Sequence, residues 1–131
     1  MRNKCSKVCS EYTISKEHFQ NLKFINLEQN GIDSWDEIVG FRNLPNLRRI
    51  TVSKNSIKEI YYKPGFNDLY MLTFEDNLIN NWKTFDAINE YKAIRTLRCT
   101  GNPILEQAAT HHHSRQTVVG RVKYVKYLNG S

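Results

Sequence analysis

The hydrophobic and polar residues of this chain follow one spacing in four separate stretches. Each stretch has apolar residues at its first, fourth, sixth and eleventh positions and an asparagine at its ninth. Side chains at the fourth and sixth positions share one face of an extended segment, so each stretch predicts a short strand followed by a turn. The stretches run over residues 22–32, 47–57, 69–79 and 94–104, and every apolar position holds an apolar side chain if Cys99 is counted.

The spacing matches the leucine-rich repeat signature, L-x-x-L-x-L-x-x-N-x-L. The four asparagines are 25, 22 and 25 residues apart, within the repeat length of about 20–29 residues. The pattern predicts an α/β solenoid of about four to five coils. Parallel strands should line its concave face, short helices its convex face, and a helix should cap its C-terminal end. A solenoid of this kind is typical of proteins that bind other proteins.

The repeats divide the chain into three predicted parts. Residues 21–107 form the repeats, residues 1–20 form an N-terminal cap or a truncated earlier repeat, and residues 108–131 form the C-terminal cap. A polar loop is predicted at 110–114. The cap helix is predicted from the helical spacing of Val118, Val119, Val122 and Val125. Its role would be to cover the apolar end of the last coil.

An asparagine follows each predicted strand, at the point where the coil must turn. The turn leaves backbone groups without partners in the sheet, and an amide side chain can both donate to them and accept from them. We therefore expect a structural ladder of buried, hydrogen-bonded amides formed by Asn30, Asn55, Asn77 and Asn102.

Two of the connections predict helices on the other side of the coils. Ser34 and Glu37 fit a capping box, and Asn81 fits the N-cap of a second helix. Trp35 and Trp82 each lie five residues after a repeat asparagine. Both are interpreted as core residues of the convex side rather than as ligand contacts.

The charge of the chain is uneven. The formal net charge is +6 over 131 residues, but the basic excess lies at the two ends, leaving the solenoid body nearly neutral. Two interpretations stay open: solvated terminal segments, or attraction to an acidic partner. There is no apolar run long enough for a membrane span, and no signal peptide is expected. The three cysteines suggest a reducing compartment, so a cytoplasmic location is expected.

The sequence offers no constellation for chemistry. Cys5 and Cys9 lack a second pair of ligands, and His111–His113 are consecutive, so they cannot all face one metal ion. There is no phosphate-binding glycine loop and no nucleophile with a recognisable base. We therefore expect a protein that is not an enzyme and that has no metal and no cofactor.

The remaining candidate surface is the outward row of the strands. Phe24, Met71 and the arginines at 49 and 98 are of the residue types enriched at protein interfaces. The hypothesis is that this concave face binds a folded protein. Its predicted contact residues are Phe24, Asn26, Glu28, Arg49, Thr51, Met71, Thr73, Glu75 and Arg98. Ser53, Thr96 and Thr100 alternate onto the same face.

Three stretches carry a more specific resemblance. They are the asparagine turn and helix start at 30–38, the Gly-Asn-Pro repeat at 97–104 and the basic cap ending in Leu-Asn-Gly at 115–131. Over residues 20–131 the chain resembles the leucine-rich repeat region of tubulin-binding cofactor E or its cofactor E-like relative. The resemblance implies an ATP-independent, cytoskeleton-associated tubulin chaperone that engages α-tubulin with other cofactors during heterodimer assembly and dissociation. The Gly-rich and ubiquitin-like domains of longer members are not visible, so an excised repeat domain is expected.

Two alternatives remain. Similar repeat proteins act as scaffolds in dynein or axonemal assembly, or as splicing-complex subunits near RNA. The interpretation adopted is a monomeric protein-binding domain whose partners are α-tubulin and other tubulin cofactors, without nucleic acid or membrane.

Overall fold

A computed structural model describes residues 21–106 and 111–129, and the side chains of 111–114 are not included. The predicted N-terminal part, residues 1–20, lies outside this range. The elements in chain order are β1 (Phe24–Asn26), α1 (Asp36–Val39), β2 (Arg49–Thr51), β3 (Met71–Thr73), α2 (Lys83–Glu90), β4 (Thr96–Arg98), α3 (Pro103–Glu106), α4 (His111–Arg121) and β5 (Tyr127–Leu128). In this described part, no helix is long and apolar enough to cross a membrane.

The five strands form one parallel sheet in the order β1-β2-β3-β4-β5. Each strand is only two or three residues long and pairs in register with the next, so that Ile25, Ile50, Leu72, Leu97 and Leu128 form one row. All five of these side chains are buried. The parallel solenoid predicted from the repeat spacing is confirmed.

A left-handed residue precedes each ladder asparagine and makes the turn at the end of the strand. The positive φ angles are 60° at Gln29, 60° at Lys54, 56° at Asp76 and 80° at Gly101. This conformation is unfavourable for residues other than glycine, so its recurrence shows that the coil geometry determines it. At Gly101 a Cβ atom would also meet the carboxylate end of the Asp76 side chain, which would have to shift.

Three of the four predicted ladder asparagines join neighbouring coils. Asn55, Asn77 and Asn102 are buried. Their side-chain oxygens accept, at 2.9 to 3.1 Å, from the backbone amides of Ile32, Ile57 and Ile79, respectively. Each of these isoleucines lies two residues after the preceding ladder asparagine. Their Nδ2 atoms donate to carbonyls of their own coil and the preceding coil. Within the described residues, each of these asparagines therefore fastens two coils together.

Asn30 departs from the prediction. It is only partly buried, and its Nδ2 donates within its own coil to the Glu28 carbonyl at 3.2 Å. The physical reason is its position, since β1 is the first strand of the described sheet and no described coil precedes it.

The convex side is filled by aromatic side chains. Trp35 is buried, and Phe85 of α2 lies between Phe74 and Trp82 with ring centroids 6.1 and 5.7 Å away. Asn81 Oδ1 accepts from the Thr84 amide at 3.0 Å, as predicted for a cap. The capping box predicted before α1 takes a different form. Ser34 Oγ accepts from the Asp36 amide at 3.1 Å, and the Glu37 amide donates to the Ser34 carbonyl at 3.2 Å.

The C-terminal cap differs from its prediction in three respects. The polar loop is wrong from residue 111 onward, because His111–Ser114 begin α4. Val119 is exposed, while Val118 and Val122 are buried, because only one face of the helix meets the last coil. The chain then leaves the helix and adds β5 to the sheet. The apolar spacing of Val125 and Leu128 repeats the start of the repeat template, and the strand is its consequence.

Candidate functional site

The predicted contact residues lie on one continuous face of the sheet. The register places Phe24, Arg49, Met71 and Thr96 in one row across the coils, and Asn26, Thr51, Thr73 and Arg98 in the next. Side chains in both rows alternate with the buried aliphatic row, which directs them away from the core. The concave face is defined here by these two rows together with Glu28 and Glu75, which follow β1 and β3.

Exposure varies across this concave face. Phe24, Asn26, Glu28 and Arg49 are exposed, whereas Thr51, Met71, Glu75 and Arg98 are partly buried. Thr73, predicted as a contact residue, is only 7% exposed. Its short side chain lies in register between Thr51 and Arg98, so neighbouring strands cover it and it offers little surface to a partner. Ser53 is also buried, and its Oγ accepts from the Glu75 amide at 3.1 Å.

Several charged groups of the concave face are held by neighbours in the next coil. Glu75 Oε2 accepts from the Thr100 hydroxyl at 2.9 Å and lies 3.8 Å from Arg98 Nε. The Arg49 guanidinium carbon lies 4.7 Å from the centroid of the Phe24 ring, a cation–π arrangement. These contacts restrict long side chains before a partner arrives, which lowers the entropy that binding must remove.

Sequence reasoning missed Tyr127 as a member of this surface. Its strand β5 extends the sheet, and Tyr127 pairs with Thr96 in the row of Phe24, Arg49 and Met71. Its side chain is 58% exposed. The signal is the apolar spacing of Val125 and Leu128, although Val125 also fits the spacing of the predicted cap helix.

The geometry does not indicate nucleophilic chemistry at Cys99. This cysteine is fully buried, and burial raises the pKa of its thiol to about 12, against the smaller lowering effect of its contact with Asn129. The thiol is therefore protonated at neutral pH, and the thiolate is the reactive form. Among the described residues there is also no group of three or more His, Cys, Asp or Glu side chains that could hold a metal ion.

A pH dependence follows from Cys99. An unfolded thiol has a pKa of about 8.5, so the unfolded chain loses this proton first. The contribution of the protonated Cys99 thiol to the free energy of unfolding is complete below a pH of about 8.5 and is lost as the pH rises towards 12. In a chain with Cys5 and Cys9 replaced by serine, raising the pH from 8 to 10 should remove about 2 kcal/mol of unfolding free energy through this group.

Denaturant titrations at the two pH values measure this effect. The control adds Cys99→Ala to the same chain, which retains Tyr91, whose burial raises the pKa of its phenol. The contribution of Tyr91 therefore cancels between the two chains. Equal losses of stability in both chains would contradict the assignment to Cys99.

Two clefts lined by described residues are small. One of about 230 Å³ lies between the last coil and the cap, beside Leu105, Arg115 and Leu128. Another of about 330 Å³ lies beside Tyr62 and Tyr91. Both are at or below the lower end of the ~300–1,000 Å³ typical of small-molecule sites, so the extended concave face is the stronger candidate.

Comparisons with known proteins agree with this geometry. No protein-family model matches the chain. Tubulin-folding cofactor E of Arabidopsis thaliana is 27% identical over 142 residues, which covers 100% of this chain and 27% of that protein. Tubulin-specific chaperone E of Xenopus laevis is 24% identical, covering 86% of this chain and 23% of that protein. The tubulin-specific chaperone cofactor E-like protein of Rattus norvegicus is 25% identical, covering 85% and 27%.

The chain thus spans about a quarter of the length of these curated relatives. Among solved structures, a chain of the Drosophila melanogaster SNF/U2A' complex is similar, with a TM-score of 0.75 and 15% identity. That match covers 87% of this chain and 63% of the other, and at this identity it concerns the fold alone. The chain is therefore a leucine-rich repeat protein that resembles tubulin-folding cofactor E and its cofactor E-like relative over most of its residues.

Proposed function

We propose that this chain is the protein-binding repeat domain of a tubulin-folding cofactor and that its concave face engages α-tubulin during assembly or dissociation of the heterodimer. The observation that carries the proposal is the sequence similarity to tubulin-folding and tubulin-specific chaperones across most of the chain. A cytoplasmic, cytoskeleton-associated location, a monomeric state and the help of other tubulin cofactors belong to the same proposal.

The geometry of the concave face supports a protein-binding role. The concave face combines exposed Phe24, Arg49 and Tyr127 with partly buried Met71 and Arg98. Aromatic, methionine and arginine side chains are enriched at protein interfaces, and a minority of such residues supplies most of the binding free energy. Because short parallel strands and ladder amides hold them, these side chains are presented on a rigid support.

The scaffold alternatives receive no specific support. The similarity to a chain of the SNF/U2A' complex is at 15% identity, which does not transfer a role beside RNA. The concave face also carries acidic Glu28 and Glu75, which would repel a polyanion lying across the strands.

Capture of purified tubulin by the immobilised chain tests the proposal. The variant Arg49→Ala, Met71→Ala and Arg98→Ala should reduce capture at least about tenfold, since each side chain contributes on the order of 1 kcal/mol at an interface. The melting temperature should change little, because none of the three belongs to the buried core.

A matched control removes two cations and one apolar side chain elsewhere, by Lys58→Ala, Lys83→Ala and Val119→Ala. These residues are exposed and lie outside the concave face. Equal capture by both variants would exclude the concave face, and absence of capture by the unmodified chain would contradict tubulin binding by this domain.

A further inference from the structure

A row of basic residues runs along the edge of the sheet where the strands begin. The residues immediately before the five strands are Lys23, Arg48, Tyr70, Arg95 and Lys126. Four of the five are basic, and we call the whole set the basic row. None of them is in the predicted contact set of the concave face. Four are exposed and Arg95 is partly buried.

Backbone hydrogen bonds fix the register of the basic row. The Lys23 carbonyl accepts from the amides of both Arg48 and Arg49, at 2.9 and 3.0 Å. The carbonyls of Arg48, Tyr70 and Arg95 repeat this arrangement towards the next coil, with distances of 2.7 to 3.2 Å. Neighbouring strands lie about 4.8 Å apart, so the five positions span about 19 Å.

The cations of the basic row have no acidic partners within the described structure. The ion pairs of the coils use other cations, as in Lys54 with Glu28 and Arg98 with Glu75. Asp68 lies two residues before Tyr70 in the chain without forming an ion pair with the row. Like charges on neighbouring strands repel one another, and nothing among the described contacts offsets this repulsion.

Two guanidinium groups at this edge are held against aromatic rings. The Arg95 guanidinium carbon lies 5.7 Å from the Tyr124 ring centroid, and its Nη1 donates to the carbonyl of Lys92 and, at 3.2 Å, to that of Ile94. Arg49, next to the row, covers Phe24 in the same manner. Because Nη1 of Arg95 is engaged by these carbonyls, its Nη2 group is the one that can donate to a carboxylate.

The opposite edge of the concave face, where the strands end, carries mainly acidic residues. Glu28, Glu75 and Asp76 follow their strands there, and Lys54 is already paired with Glu28. The face is therefore electrostatically polarised along the strand direction. A broad polyanion would meet both edges, whereas a single extended chain can lie along the basic edge alone.

We propose that the basic row is a docking site for an acidic, extended segment of a protein partner. An extended chain rises about 3.3 Å per residue, so about six residues match the row, with alternate carboxylates facing the cations. A nucleic acid is less suitable, because the phosphates of a broad polyanion would also meet Glu28, Glu75 and Asp76 at the opposite edge. The inference goes beyond the proposed tubulin capture and concerns a different set of residues.

The test uses the full chain and a fluorescently labelled peptide of ten residues, alternating glutamate and alanine. Fluorescence anisotropy should show binding that weakens between 50 and 200 mM salt, because the attraction is electrostatic. The variant Lys23→Gln, Arg48→Gln and Lys126→Gln should bind about tenfold more weakly, since exposed charge pairs contribute modestly and three are lost. The same peptide with glutamine in place of glutamate should not bind.

A matched control replaces Lys58, Lys63 and Lys83 with glutamine, which changes the net charge equally at exposed positions outside the row. Its affinity should stay within about twofold of the unmodified chain. Equal loss in both variants, or no binding of the peptide by the unmodified chain, would overturn the proposal. Tighter binding of a single-stranded RNA of ten nucleotides, sensitive to the row substitutions, would also overturn it. Tubulin is not a component, so each of these results is independent of the capture experiment.

Discussion

Replacement of Phe85 by alanine is expected to lower the free energy of unfolding by about 3–5 kcal/mol, as for other buried aromatic side chains. Phe85 is fully buried. Its ring packs against Phe74, which follows β3, and against Trp82 at the start of α2. The cavity would open between the convex helix and the strand layer, and these two layers cannot collapse onto each other while the sheet keeps its register.

Urea denaturation of the purified variant measures this loss. The matched control is Phe24→Ala, which removes the same side chain from a position that is 42% exposed. The control should cost less than about 1 kcal/mol, as is usual for surface substitutions away from the core. Comparable losses at the two positions would contradict the assignment of Phe85 to the core of the convex side.

Replacement of Asn77 by alanine should lower the unfolding free energy by about 3 kcal/mol. Asn77 Oδ1 accepts from the buried Ile57 amide at 3.1 Å, and Nδ2 donates to carbonyls of Val52, Phe74 and Glu75. The Val52 carbonyl would retain its bond from Asn55, and the Phe74 carbonyl its bond from Asn102. The Ile57 amide would lose its partner while still buried.

The same substitution at Asn30 provides the control. Asn30 is partly buried, and its side chain donates to the exposed Glu28 carbonyl, which water can satisfy. We expect a cost of less than about 1 kcal/mol there. Denaturant curves for both variants test the difference, and equal costs would show that the ladder does not bind the coils together as described.

These two predictions distinguish residues that stabilise the fold from residues that are proposed to contact a partner. Phe85 and Asn77 hold the coils from the convex side and the turn, whereas the arginines at 49 and 98 lie on the concave face. Loss of tubulin capture in the concave-face variant, with unchanged unfolding, would therefore measure contact with the partner rather than loss of the fold.

The amino-acid sequence by itself determined the solenoid, its strand positions and its turn asparagines. The reason is that the repeat template encodes local geometry four times, and stacking of similar units buries the same template positions in each. The resemblance to cofactor E also came from contiguous stretches, in which residue identity and order are sufficient. The cap of α2 at Asn81 was predicted for the same reason, since capping is a local interaction.

Properties that depend on neighbouring coils required the tertiary structure. Asn30 matches its template as well as Asn77 does, and only the place of β1 at the end of the described sheet makes it partly exposed. Thr73 alternates outward as predicted, yet strands on both sides cover it. Strand β5 and the alignment of the basic row likewise join residues distant in sequence. Strand register and the burial of a side chain by adjacent strands both depend on two or more coils, so the residue pattern within a single repeat cannot specify them.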